Sequence, residues 1–151
     1  MNALALGMFA ALNLFPHPFI TDGCTSFPNG TLRSPELWLH CCVEHDLFLW
    51  AGGTRKMRNR ADIQLRDCVR ETGALREADV MYLGVRMGCY FPVKIPHMSW
   101  ANAWDGPSYI RLTREQIDAI KLDLPRYDLP FELERKLIDS LEAEAPYELS
   151  P

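Results

Sequence analysis

A mainly α fold is predicted for this chain, and three observations predict it. Capping residues and helix-ending glycines punctuate it at helix-length intervals. No segment alternates apolar and polar side chains over the length of a strand. A length of 151 residues, with 48% hydrophobic and 24% charged side chains, suits one ordinary globular domain rather than two or a disordered chain.

In chain order, residues 1–20 carry no acidic or basic side chain other than His17 and are mostly apolar. Asn2, Asn13, Pro16 and Pro18 interrupt the run, which argues against a bilayer-spanning helix, and no positive residues open it as in a signal peptide. Three readings stay open: a remnant of a trimmed signal or anchor, a core-packing helix, and a membrane-surface segment. Residues 21–33 are dense in Asp, Gly, Ser, Pro and Asn, and read as a loop with exposed carbonyls and tight turns. Ser34 suits an N-cap, with Pro35 at the first helical position and Glu36 favourable to the helix dipole. A helix is therefore expected over residues 35–50, ended by Gly52 and Gly53. Thr54 would cap a second helix reaching about residue 71, before Gly73. A third is expected over residues 75–86. Residues 88–109, with Pro92, Pro96 and Pro107, read as a loop carrying Tyr90, Phe91, Trp100 and Trp104, either lid and core packing or a membrane-facing surface. Thr113 with Gln116 forms a capping box for a helix ending near Leu122, and Pro130 opens a last helix to about Ala145.

Composition removes some functions. Net charge is −4 and no basic stripe with interleaved aromatics appears, so no nucleic-acid partner is expected. Four of the five cysteines lie between positions 24 and 68, without a Cys-x-x-Cys spacing. Such clustering in a small α-rich chain suggests an oxidising compartment. An odd count leaves one thiol unpaired if the others are bridged, and isolated Cys89 is the candidate.

The chemistry concentrates in Cys41-Cys42-Val43-Glu44-His45-Asp46. On a helix, Cys41 and His45 share one face, while Cys42 and Asp46 form the neighbouring strip about 100° round. The short Ala51-Gly52-Gly53 connection makes the first two helices an antiparallel hairpin. Cys41 stands four residues before His45, and Cys68 six after Asp62, a mismatch worth about 3 Å of helix rise. One register therefore serves both pairs: Cys41 with Cys68 as a possible bridge, and His45 with Asp62 as a hydrogen-bonded pair. The second ring nitrogen of His45 would be left to activate water. Asp46 would join loop carbonyls in an oxygen-only cation site, which suits calcium. Competing readings are a buried structural histidine, free buried thiols, or zinc on Cys24, Cys41, His45 and Cys68, which leaves Asp46 and Asp62 unexplained. His17, His40 and His97 lack such partners and read as structural. Glu44 and Asp67 read as surface charges. Arg58 and Arg60 belong to a solvated face or, near the site's mouth, attract a phosphate.

This pattern resembles the phospholipase A2 superfamily, whose signature of two cysteines, two variable residues and His-Asp stands unaltered at residues 41–46. The family's second-helix aspartate, six residues before a cysteine, is matched by Asp62 and Cys68. The match covers roughly residues 20–72. The resemblance implies a phospholipase A2-like core of two antiparallel disulfide-linked helices with extra helices. The segments would be an apolar lead (1–20), a calcium loop (21–33), a catalytic helix hairpin (34–72) and a helical and loop extension (73–151). It implies His45 as general base, Asp62 as its orienting partner, and Asp46 as the calcium carboxylate aided by carbonyls near Gly23, Thr25 and Phe27. It implies disulfides Cys41–Cys68 and Cys24–Cys42. The reaction would be calcium-dependent hydrolysis of the sn-2 acyl ester of glycerophospholipids, with a phospholipid or membrane surface as substrate and a secreted or periplasmic, membrane-associated location. Three departures stand out: a loop with fewer glycines and Pro28, Leu49 where a tyrosine is common, and no β-hairpin between the helices, as in compact microbial members. A further family bridge falls on Phe48 and Ala61, where a packing contact is expected instead. The altered loop also suits a non-catalytic scaffold that binds lipid or a protein partner, and the same geometry would serve a hydrolase of another ester or amide.

Overall fold

The computed structural model describes residues 14–90, 102–106 and 109–146, with the backbone alone for 88–90. Among these residues there is no strand, and five α-helices follow one another: α1 (Leu39–Ala51), α2 (Arg55–Glu71), α3 (Leu75–Tyr90), α4 (Arg114–Asp123) and α5 (Phe131–Glu144). A single 3-10 turn, Leu124–Arg126, links α4 to α5. The protein is mainly α. No described helix is long and apolar enough to cross a membrane.

The expected first helix begins late. Ser34 makes no side-chain cap, and residues 35–38 form turns in place of a first helical turn. Trp38 is the cause. Its N–H leaves the local chain to bond Asn29 O at 3.0 Å, and its indole Nε1 donates to Pro28 O at 2.6 Å. Anchoring a buried tryptophan against the loop outweighs the local capping preference of Ser34 and Pro35.

The hairpin forms as its residues dictate. Gly52 and Gly53 adopt φ of 80° and 111°, conformations that side chains resist, and a Cβ on Gly53 would stand 2.5 Å from Met57 Sδ. Thr54 then accepts the Met57 N–H and starts α2. α3 continues past its expected end at residue 86 to Tyr90. Its glycines each cost helix stability, about 1 kcal/mol relative to alanine, yet Ala78 and Met81 are buried in one cluster with Leu65 and Val69 of α2, and Val85, beyond Gly84, packs against the same cluster. The Thr113–Gln116 capping box forms reciprocally at the start of α4.

Two apolar clusters make up the core. One surrounds the cysteines with Trp38, Leu65, Val69 and Met81. The other packs Leu47, Phe48 and Trp50 of α1 and Ala61 of α2 against Ile117, Ile120, Leu137 and Leu141. Phe48 and Ala61 thus share a packed cluster. Residues 14–20 dock on the second cluster: Trp50 Nε1 donates to His17 O at 2.7 Å, and the Phe19 ring meets Trp50 and Tyr127 edge-on at 5.7 Å each. Two disulfides are present, Cys24–Cys42 and Cys41–Cys68, with Cα separations of 5.0 and 5.7 Å. The readings of residues 1–13, of His97 and the aromatic segment 91–101, and of the Cys89 thiol lie outside the described residues.

The Cys41–Cys68 bridge closes a loop with a sequence separation of 27. Removing it as Cys41→Ala/Cys68→Ala should lower the unfolding free energy by roughly 3 kcal/mol, mainly by freeing the unfolded chain. Urea unfolding of the double variant measures this, and an unchanged midpoint would mean that packing alone holds the hairpin.

Candidate functional site

Along α1, the side chains pass from the cysteine cluster (Cys41, Cys42) through His45 to the second cluster (Leu47, Phe48, Trp50). Along α2 they pass in the opposite direction from Leu65 and Val69 through Asp62 to Ala61 and Met57. The two polar residues meet at the seam between the clusters. His45 Nε2 stands 2.8 Å from Asp62 Oδ1, with Asp62 0% and His45 6% exposed. Two guanidinium groups complete the shell of Asp62. Arg58, one helical turn earlier on α2, donates Nε to Oδ1 at 3.2 Å, and Arg86 of α3 lies with Nη1 3.4 Å from Oδ2. Arg86 also bonds Asn59.

These contacts decide the protonation states. Burial alone would raise the pKa of Asp62, but the His45 hydrogen bond, the Arg58 charge and the Arg86 contact outweigh it and hold the carboxylate below its ordinary value. Burial lowers the pKa of His45, with Arg58 adding to that effect, against the raising influence of Asp62. A neutral imidazole beside a carboxylate must donate through Nε2. Its proton is then committed to Asp62, and Nδ1 carries the lone pair. Nδ1 has no hydrogen-bond partner among the described residues, and the ring as a whole is buried. The pair is an oriented imidazole whose accepting nitrogen is uncommitted among the described residues.

Asp46 lies on the neighbouring strip of α1 and is in a different environment. Its Oδ2 accepts the Thr21 hydroxyl at 2.6 Å, and Thr21 Oγ1 in turn accepts the Gly23 N–H at 3.1 Å. Burial pushes its pKa up to about 6; the Thr21 bond opposes this, the Asp22 carboxylate adds to it, and Arg58 opposes it. A half-buried carboxylate with one hydroxyl partner and a second acid nearby is short of positive charge, which an oxygen-ligated divalent cation would supply. A carboxylate is the kind of oxygen donor that calcium accepts. Of the loop positions expected to contribute carbonyls, Gly23 is linked to Asp46 through Thr21. Its φ of 77° and a Cβ that would stand 2.7 Å from Asn29 Oδ1 require glycine there. Thr25 is exposed, with its hydroxyl donating to Asp22 at 2.6 Å. The Phe27 ring leans on Trp38 with centroids 6.5 Å apart.

The other candidates separate cleanly. Cys24, Cys41, Cys42 and Cys68 are all in disulfides, so none of these four offers zinc a thiolate, and the proximity of His40 Nε2 to Cys41 Sγ (3.4 Å) does not make a metal site. His17 pairs with exposed Asp105, Glu44 with Lys136, and Asp67 with Arg66. Arg60 turns to Glu144, whereas Arg58 belongs to the dyad. The four-residue spacing of Arg58 and Asp62 signals their contact in the sequence. Nothing in the sequence signals Arg86 or Thr21, which reach the site from distant segments. Comparison with protein-family models, with curated proteins and with solved structures gives no match.

The folded pKa of Asp46, about 6, lies above its ordinary 3.8. Its contribution to stability is therefore present below the unfolded value and lost as pH rises through about 6, so the ionised carboxylate strains the cation-free fold at neutral pH. Asp46→Asn should stabilise the protein in chelator at about pH 7.5 by on the order of 1–2 kcal/mol, with no gain near pH 4. Urea unfolding at the two pH values tests it; a variant no more stable than wild type at neutral pH would show that the site already neutralises Asp46.

Proposed function

We propose that the protein is a phospholipase A2-like, calcium-dependent esterase that hydrolyses the sn-2 acyl ester of glycerophospholipids with a histidine-activated water. The observation that carries this reading is the buried His45–Asp62 pair at 2.8 Å with Asp46 adjacent on the same helix. The disulfides Cys24–Cys42 and Cys41–Cys68 and the hairpin register add support, since the resemblance at residues 41–46, 62 and 68 implies each of them. They also favour an oxidising, secreted or periplasmic setting.

In this reading, water sits against Nδ1 of His45 and loses a proton to it as its oxygen attacks the ester carbonyl. Asp62 holds the imidazole in the tautomer that makes this transfer possible, and its charge stabilises the imidazolium that forms. Collapse of the tetrahedral species expels the glycerol oxygen, which recovers the proton from His45. Calcium held by Asp46 and loop carbonyls would polarise the carbonyl and stabilise the oxyanion. Arg58 and Arg86 keep Asp62 charged, while burial, with Arg58 adding to it, holds the pKa of His45 below its ordinary value, so the base is neutral at neutral pH.

Fatty-acid release from mixed phospholipid vesicles in millimolar calcium checks the proposal. His45→Gln should lower the rate by about 10²-fold to 10⁴-fold, Asp62→Asn should lower it through the wrong tautomer, and Asp46→Asn should remove the dependence on calcium. Wild-type protein without activity, or a His45→Gln variant as active as wild type, would sink it.

A further inference from the structure

Among the cations of α2, Arg58 is bound differently. Arg60 and Lys56 turn to Glu144, Arg66 to Asp67, Arg70 to Asp79, and Arg55 lies over the Tyr109 ring. Arg58 alone reaches the buried dyad, and it does so through Nε, at 3.2 Å from Asp62 Oδ1. Its terminal amino groups have no hydrogen-bond partner among the described residues, and its side chain is 25% exposed. The carboxylate it touches already accepts His45 and lies against Arg86, so the single charge of Asp62 is shared between two cations. A half-buried guanidinium with its planar fork uncommitted is a receptor for an oxyanion, because two N–H groups match two oxygens of a phosphate.

We propose that Arg58 is the anion-binding residue of this site: Nε holds Asp62 while the terminal amino groups grip two non-bridging oxygens of a substrate phosphodiester. The ligand assignment rests on the esterase reading, in which the headgroup phosphate lies a few bonds from the scissile ester. Arg58 then connects substrate binding to the orientation of the base, because one planar group touches both the phosphate and the carboxylate that steers His45.

Two measurements on the full chain test this separately from the esterase reading. In the first, 15N-labelled protein is titrated with glycerophosphocholine, with inorganic phosphate and with glycerol. Wild type should bind the phosphodiester saturably and glycerol not at all, and Arg58→Gln should weaken the diester by about tenfold or more. Arg58→Lys, which keeps a positive charge beside Asp62 but loses the fork, should also weaken it and covers the case in which the glutamine variant fails to fold. Binding unaffected by either change, or absent from wild type, overturns the proposal, and tighter binding of inorganic phosphate than of the diester overturns its lipid assignment. In the second, kcat/KM is compared for a phospholipid and a diacylglycerol of the same acyl chains. The variants should lose about tenfold more on the phospholipid. Equal losses on both substrates would leave Arg58 only a positioning residue and the esterase reading intact. Arg58-dependent binding with no acyl release from any substrate keeps the anion site and removes the esterase.

Discussion

The register of α1 against α2 is the constraint on which the site depends. A histidine and an aspartate are withdrawn from water at the seam of two apolar clusters, which is unfavourable unless each satisfies the other. A slip of one residue along α1 would move His45 by about 1.5 Å and turn it about 100°, enough to separate it from Asp62. The disulfide Cys41–Cys68 holds the hairpin one turn before His45, and the Gly52-Gly53 turn closes it after Trp50. Between these two anchors the polar pair has one arrangement available. Removing one member would leave the other buried without its partner, a worse state than an apolar pair of the same shape.

Asp46 and Asp62 show how environment divides labour between like groups. Both carboxylates are withdrawn from water, and burial pushes both upward. Asp62 meets an imidazole N–H and two guanidinium groups, and stays ionised below its ordinary range. Asp46 meets one hydroxyl and a second acid, and its pKa climbs to about 6. The first is an anion already compensated by the fold, fit to orient a base. The second is an anion that the fold compensates only in part, and for that reason the esterase proposal gives it the cation. The divergence follows from which helix faces the guanidinium groups: Arg58 and Arg86 bond Asp62 on α2, while Asp46 lies on the strip of α1 that meets the loop.

Much of this was legible because it is periodic. Thr54, Gly52, Gly53, Thr113 and Gln116 act through contacts a few residues away, so the helices they bound appear where their chemistry places them. The meeting of His45 with Asp62 and of Cys41 with Cys68 follows from counting along an antiparallel pair, since helix rise is nearly invariant. What escaped depends on contacts across the chain. Trp38 delays α1 because its backbone and indole bond to residues 28 and 29. Arg86 reaches Asp62 only because α3 folds back on α2, and Thr21 reaches Asp46 only because the loop folds over α1. Long, flexible side chains and irregular loops leave no period to read.

The same counting exposes how α1 serves two neighbours at once. Its strip of Cys41 and His45 engages α2, by a disulfide at the first position and a hydrogen bond at the second. Its strip of Cys42 and Asp46 engages the loop in the same way, by a disulfide to Cys24 and a hydrogen bond from Thr21. Each strip therefore carries a covalent tie and, four residues on, a polar contact to the same partner segment. Two points fix a segment against a helix where one would leave it free to pivot. Because the strips are adjacent on one rigid rod, α1 positions the loop beside Asp46 and the Asp62 behind His45 relative to each other. A loop sequence unlike that of a glycine-rich calcium loop can be accommodated on such a frame, since its start is held by Thr21 and Cys24 and its middle by the Trp38 bonds to residues 28 and 29 rather than by its own turn preferences.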